Sequence, residues 1–144
     1  MGEIRMSDII ALQGRAKCGK TTTLKLLIEK IIKKYAVPEE KQAWKIKRTD
    51  FMVILEIEIS GKALRIGITT YGDPNSKLQE HIQTFLSEKC ELIYCACRTS
   101  GMTVDWVNSF AISHTVRFVQ KLIGTNYDVL NQKQADELLV LGKI

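Results

Sequence analysis

Two glycines five residues apart, followed by a lysine and a hydroxyl residue, place the strongest constraint on this sequence. The segment from Gly14 to Thr21 reads GRAKCGKT and fits the pattern G-x-x-x-x-G-K-[ST] at each specified position. Glycines let consecutive backbone N–H groups turn inward into a concave anion site, which side chains at those positions would obstruct. The pattern therefore predicts a loop that binds phosphate groups.

The sequence on either side of this loop has the order that the pattern requires. Residues 8–13 are short and mostly apolar, which is typical of a buried parallel strand. Beyond the loop, apolar residues recur at steps of three and four, as on one face of a helix: Leu24, Leu27, Ile28, Ile31 and Tyr35. A strand, the glycine loop and a helix are therefore expected in succession.

The segment from Ile9 to about Ile32 resembles the start of a P-loop NTPase. In such a loop Lys20 reaches the β- and γ-phosphates, the Thr21 hydroxyl coordinates Mg²⁺, and the helix directs its positive dipole end at the triphosphate. The predicted nucleotide-binding residues are Gly14, Arg15, Ala16, Lys17, Cys18, Gly19, Lys20, Thr21 and Thr22.

Composition and length narrow the class of protein. The 144 residues suit one domain with one core, and no apolar run reaches the length of a membrane span. The first seven residues lack the apolar block of a secretory signal, so a cytoplasmic location is expected.

A net charge of +5 suits a polyphosphate binder and does not by itself imply nucleic acid. The four cysteines form no C-x-x-C pair, and Cys18 is either a reactive thiol or a small filler residue.

Two alternating segments predict a β-hairpin. Residues 53–59 and 64–68 alternate apolar with other side chains, and Gly61-Lys62 interrupts them. With those two as the turn, Glu58 would lie opposite Arg65. A glycine loop and a helix followed by an antiparallel hairpin resemble the small-GTPase branch, whereas nucleotide kinases of the P-loop class keep a parallel core.

The carboxylate that this resemblance implies is missing. In that branch the second hairpin strand ends in D-x-x-G, but residues 69–72 here read TTYG. Asp73 follows at once and is a displaced metal-associated acid, a residue that helps to orient a water, or a turn residue before a proline. Thr49 or Asp50, at the end of a polar loop that begins at Pro38, could also approach the metal. No N-K-x-D occurs, so guanine selectivity has no support.

The rest of the chain supplies further elements. A helix over residues 76–89 with a Ser76–Gln79 capping box carries a surface His81. The strand at residues 91–97 precedes Arg98, interpreted as an internal arginine finger, a contact for a second substrate, or a partner of a surface carboxylate. The remaining predictions are a helix over 103–114 capped by Thr103, a strand over 115–123, and a helix over 131–141 capped by Asn131.

These observations predict a single α/β P-loop domain over residues 1–144, with three layers and a mainly parallel five-stranded sheet that carries one antiparallel edge strand. The expected function is Mg²⁺-dependent binding of ATP or GTP with slow hydrolysis, with Lys20, Asp73 and Arg98 as catalytic candidates and Thr21 and Asp73 as metal ligands. Three alternatives stay open. They are a kinase acting on a nucleoside or small metabolite, a regulatory module that contacts a protein through Pro38–Thr49 and Gly72–Ser76, and a loop that has lost nucleotide binding.

Overall fold

A six-stranded mixed sheet with helices on both faces organises the chain in a computed structural model that describes residues 7–47, 50–72 and 77–144. The strands are β1 (Asp8–Gln13), β2 (Gln42–Lys47), β3 (Asp50–Ile59), β4 (Lys62–Thr69), β5 (Leu92–Cys97) and β6 (Thr115–Gln120). The helices are α1 (Lys20–Tyr35), α2 (Leu78–Ser87), α3 (Met102–Asn108) and α4 (Tyr127–Leu141), with short 3₁₀ turns at Glu39–Lys41 and Ser109–Ile112.

The strand order is β2-β3-β4-β5-β1-β6. Strand β1 lies between β5 and β6 and is parallel to both, and β4 is parallel to β5. Strand β3 is antiparallel to both β2 and β4, so it alone runs against the other strands. The predicted α/β class is confirmed. The predicted strand count of five is wrong, and the antiparallel strand lies inside the sheet because β2 covers it.

Strand β2 was predicted as part of a polar loop, and the reason for the error is its exposure. Its side chains after Gln42 are all solvent-exposed, with Trp44 39% and Ile46 68% accessible. An edge strand without a buried face lacks the alternation that identifies strands in a sequence. Antiparallel pairing with β3 holds it in place, and the Trp44 ring packs 5.4 Å from that of Phe51.

The hairpin between β3 and β4 forms as predicted, but in another register. Ser60 and Gly61 are the turn residues, with φ of 51° and 78°, and two positive φ angles characterise the hairpin turn whose twist suits β-strands. Arg65 therefore lies opposite Glu56 rather than Glu58, and Glu58 lies opposite Ala63.

Apolar side chains fill the space on both sides of the sheet. Helices α1 and α4 pack on one face through residues such as Leu27 and Leu138, and α2 and α3 pack on the other through residues such as Phe85 and Val107. Cys95 and Cys97 lie together on the α2 side, as their spacing predicts. No helix in the described ranges is long and apolar enough to cross a membrane.

Three helix starts differ from the sequence prediction. Helix α2 follows Lys77, and the predicted capping residue Ser76 lies outside the described residues. Gly101 precedes α3, while the buried Thr103 hydroxyl accepts a hydrogen bond from the Arg98 backbone at 2.9 Å. Helix α4 begins four residues early because the Asn126 side chain caps it. Asn131 is therefore buried inside that helix, and β6 ends at Gln120 rather than at residue 123.

Candidate functional site

A cavity of about 440 Å³ opens where the glycine loop, defined as Gly14–Thr21, leaves the sheet. Seven consecutive residues, 16–22, form one side, which we call the loop wall. The other side, the hairpin wall, consists of Asp50, Thr70 and Gly72. Because ligands of open α/β sheets bind beyond the carboxyl ends of parallel strands, this is the edge where a site is expected.

The glycine loop takes backbone conformations that suit an anion site. The Gly14 N–H donates to the Cys97 carbonyl at 3.1 Å, which fixes the loop to the end of β5. Lys17 and Gly19 have φ of 58° and 94°, so the chain turns sharply before α1 begins at Lys20. The N–H groups in the first turn of a helix lack intrahelical acceptors and attract negative charge.

Lys20 lies within the loop that precedes it. Its ammonium donates to the Gly14 carbonyl at 2.5 Å and to the Arg15 carbonyl at 3.1 Å, and the residue is 8% exposed. Thr21 and Thr22 line the cavity beside it. Of the predicted binding residues, Gly14 and Arg15 do not line the cavity, and Arg15 is exposed to solvent.

Cys18 is buried although it contributes to the lining of the cavity. A Cβ atom at Gly14 would lie 2.6 Å from the Cys18 Sγ, so the glycine makes room for the thiol. This packing matches the interpretation of Cys18 as a small filler residue.

The hairpin wall forms because β3 runs against its neighbours. Its first residue, Asp50, therefore lies at the edge where β4 ends and Thr70 follows. The Thr70 hydroxyl donates to the Asp50 carboxylate at 3.1 Å and accepts from the Phe51 N–H at 2.9 Å. The Thr70 N–H donates to the Phe51 carbonyl at 3.0 Å. An oriented carboxylate thus faces the glycine loop.

Thr69, at the position where the resemblance implied the aspartate of D-x-x-G, is not among the described residues that line this cavity. Its buried hydroxyl lies 2.8 Å from the His81 Nδ1 and accepts from the Tyr71 N–H at 3.3 Å. The His81 ring also makes an edge contact with Tyr71, with centroids 4.7 Å apart. The prediction that His81 lies on the surface is wrong, since α2 turns this side chain toward the end of β4.

Burial lowers the pKa of His81 below its ordinary value of 6.5. The carboxylate of Glu80 opposes this shift, and the charges of Lys77 and Lys45 add to it. The imidazole that contacts Thr69 is therefore neutral near pH 7.

The other two catalytic candidates are Arg98 and Asp73. Arg98 is half-buried just beyond β5 and is not among the described residues that line the cavity. Asp73 lies outside the described residues, as do Thr49 and Ser76. Lys20 is therefore the one member of the predicted catalytic set that the described structure places at the cavity.

Sequence reasoning missed the residues beneath the loop. Lys121, directly after β6, donates its backbone N–H to the Gln13 carbonyl at 2.8 Å and its ammonium to the Asn131 side-chain oxygen at 2.7 Å. The same oxygen accepts from the Thr23 hydroxyl of α1 at 3.1 Å. Asn131 was predicted as a helix cap, and inside α4 it instead joins two helices and a strand end. An asparagine in the middle of a helical pattern was the available signal.

Groups that could hold a metal through three or more histidine, cysteine or acidic side chains do not occur in the ranges that the structure describes. All four cysteines are buried and unpaired thiols. Neither the family models, nor the curated proteins, nor the solved structures compared with this chain contain a match to it.

Proposed function

We propose that this chain is a P-loop nucleotide-binding domain that binds a nucleoside triphosphate with Mg²⁺ and hydrolyses it slowly. The observation that carries the proposal is the cavity in which the loop wall faces a carboxylate and a hydroxyl from the hairpin wall. Its volume of about 440 Å³ falls within the range of about 300–1,000 Å³ that is typical of small-molecule sites. Phosphate groups would lie against the loop wall and the first turn of α1.

Lys20 is suited to exchange partners when phosphate arrives. The contacts of its ammonium include hydrogen bonds to two neutral carbonyl oxygens, those of Gly14 and Arg15. A phosphate oxygen is a stronger acceptor for a cation because the hydrogen bond is charge-assisted. Exchanging a loop carbonyl for a phosphate oxygen would therefore favour ligand binding.

The donor set in the cavity fits Mg²⁺. This ion prefers hard oxygen ligands and is commonly bound through one or two carboxylates, with water and substrate phosphates completing its shell. Thr21 supplies a hydroxyl, and Asp50 supplies a carboxylate that Thr70 orients. Bound Mg²⁺ would neutralise charge on the phosphate oxygens. We therefore propose Asp50, one of the carboxylates that the sequence offered, as a metal-associated acid, and the prediction for Asp73 stays untested.

The proposal of slow hydrolysis rests on the side chains that line the cavity. Fast hydrolysis needs a group that positions water and a cation that stabilises charge in the transition state. The described lining contains one carboxylate and no arginine, and Thr69 is engaged with His81. Among the described residues, the cavity therefore offers more groups that could bind a triphosphate than groups that could accelerate its hydrolysis.

A ligand panel tests the proposal. The melting temperature is measured with ATP, GTP and their diphosphates, each with and without Mg²⁺. A ligand at 100 times its Kd should add about 2.7 kcal/mol to the free energy of unfolding. We expect a rise with at least one triphosphate that is larger with Mg²⁺. No rise with any nucleotide would refute binding, and single-turnover hydrolysis at the rate of an assisted GTPase would refute slow turnover.

One observation favours a second candidate, a nucleotide-dependent binding module. Lys47 of the exposed strand β2 pairs with Asp50 in the sheet, so the edge strand adjoins the cavity directly. A ligand that moves Asp50 would shift this strand. Tight nucleotide binding with no measurable turnover over many hours would favour this candidate.

A further inference from the structure

The side chain of Lys121 runs beneath the glycine loop. A Cβ atom built at Gly14 would lie 3.1 Å from the Lys121 Cβ, and one built at Gly19 would lie 3.4 Å from its Cε. The aliphatic stem therefore passes under both glycines, from the start of the loop to its end. Their lack of side chains makes room for the lysine beneath the loop.

The ammonium of Lys121 is a buried cation with neutral partners. The residue is 5% exposed, and its Nζ donates to the Asn131 side-chain oxygen and to the Leu122 carbonyl, both at 2.7 Å. None of the ion pairs among the described residues involves it. Burial lowers the pKa of Lys121, although the nearby Cys18 opposes this shift. A buried charge without a counter-charge is costly, and an anion nearby reduces that cost.

We propose that Lys121 is a second cation of the phosphate site, a positioning residue that attracts phosphate groups from beneath the loop while its hydrogen bonds fix the loop's floor. This inference rests on the proposed function. The attraction of phosphate groups follows from the low dielectric constant of the protein interior. The Lys121 charge is separated from the cavity by the loop, so it acts through protein rather than through water, which would weaken it more. The structural part follows from Asn131, which joins Lys121 to Thr23 of α1.

Three substitutions distinguish the effect of the Lys121 charge from the effect of the hydrogen bonds that hold the loop in place. Lys121→Met keeps an unbranched stem under the glycines and removes the charge. Asn131→Asp keeps an oxygen acceptor for Lys121 and Thr23 but places a counter-charge beside the ammonium. Thr23→Val removes the hydrogen bond from Thr23 to Asn131 and places no counter-charge beside Lys121, so it is the matched control.

The experiment measures Kd for pyrophosphate and for ATP with Mg²⁺ by calorimetry, and urea unfolding reports stability. We expect Lys121→Met and Asn131→Asp each to weaken both ligands about tenfold, the effect of removing or neutralising one cation near phosphate. Asn131→Asp should do so without a loss of stability, which a purely structural role would not produce. Thr23→Val should change Kd less than about threefold, since it removes a neutral hydrogen bond.

The outcomes separate this inference from the proposed function. Wild-type affinity in Asn131→Asp, or a Lys121→Met variant that loses stability but not affinity, would overturn the role of the Lys121 charge. If Asn131→Asp does not fold, Lys121→Met decides alone, because its affinity for pyrophosphate must also vary less steeply with salt concentration than that of the wild type. A wild-type protein that binds neither ligand, or one whose affinity Lys20→Met leaves unchanged, refutes the proposed function itself.

Discussion

The loop wall and the hairpin wall of the cavity differ in how the chain builds them. The loop wall consists of seven consecutive residues, so one short segment of the chain contains it entirely. The hairpin wall combines Asp50 with Thr70 and Gly72, about twenty residues away, and exists only because β3 and β4 pair in one register. The proposed anion binding would therefore depend on a short segment, whereas the proposed chemistry would depend on long-range pairing of β3 with β4.

The two walls also differ in what supports them. Beneath the loop wall, the Lys121 side chain fills the space under the two glycines and hydrogen-bonds Asn131 of α4. The hairpin wall rests on backbone contacts, since a Cβ at Gly72 would lie 2.9 Å from backbone atoms of Ala96. Substitutions of Lys121 should therefore act on the loop wall through charge, whereas substitutions of Gly72 should act on the hairpin wall through geometry.

The largest expected effect concerns the loop wall. Lys20→Met should weaken triphosphate binding about 100-fold, because hydrogen bonds to charged groups contribute about 1.5–3 kcal/mol each. Calorimetry with ATP and GTP measures it. Arg15→Ala is the control, since Arg15 is exposed and does not line the cavity, and it should change Kd less than about threefold. Equal effects of the two substitutions would contradict the assignment of Lys20.

On the hairpin wall, Gly72→Ala should cost about 1–3 kcal/mol of stability and weaken nucleotide binding, because the new methyl group must displace the segment after β4 or the backbone of β5. Urea unfolding and calorimetry report the two effects. Gly61→Ala is the control. It strains a turn with φ of 78° in open space, so it should lower stability without changing Kd.

A smaller effect is expected for the carboxylate of the hairpin wall, and it should concern the Mg²⁺ dependence of binding. Asp50→Asn should reduce the gain in triphosphate affinity that Mg²⁺ provides by about tenfold, since a neutral amide is a weaker ligand for this hard cation. Affinity without Mg²⁺ should stay the same or rise. Glu56→Gln, on the same strand but paired with Lys41 outside the cavity, serves as the control. An unchanged Mg²⁺ dependence in Asp50→Asn would exclude Asp50 as the metal-associated acid.

The smallest effect should come from His81, which contacts Thr69 next to the hairpin wall, and it should appear as a pH dependence of the free energy of unfolding. The unfolded chain protonates its histidines near pH 6.5, whereas the buried His81 does so at lower pH. Between these values the unfolded state binds more protons, so stability falls as pH falls below about 6.5. Urea unfolding at pH 7.5 and 5.5 should show a larger loss in the wild type than in His81→Gln. Equal losses would mean that His81 is not held neutral.

Elements with strong periodicity were predictable from the sequence. Strand β1, the glycine loop and α1 follow one another as expected, because each has its own local signal in apolar spacing or in glycine placement. Strand β5 was predicted at residues 91–97, and it begins at Leu92. In these segments local propensity and tertiary environment favour the same structure.

The errors occur where tertiary contacts decide the environment. His81 has polar neighbours in the sequence, yet Thr69 and Tyr71 of another segment enclose it. Asn131 has the residue type of a cap, yet Asn126 caps the helix and Asn131 bonds Lys121 instead. Asp50 was only a loose candidate, since its place at the cavity follows from pairing between β3 and β4 and from no pattern around it.

The two-residue turn at Ser60 and Gly61 limits how the length of this chain can vary. Pairing runs from Ile59 opposite Lys62 at the turn to Met52 opposite Thr69 near the cavity. Adding one residue to a single strand would slide Asp50 past Thr70 and turn neighbouring side chains to the opposite face. Insertions and deletions that preserve the site must therefore come in matched pairs, one in each strand, or take the form of a bulge. In homologous chains without a bulge, the number of residues between Asp50 and Thr70 should accordingly vary in steps of two.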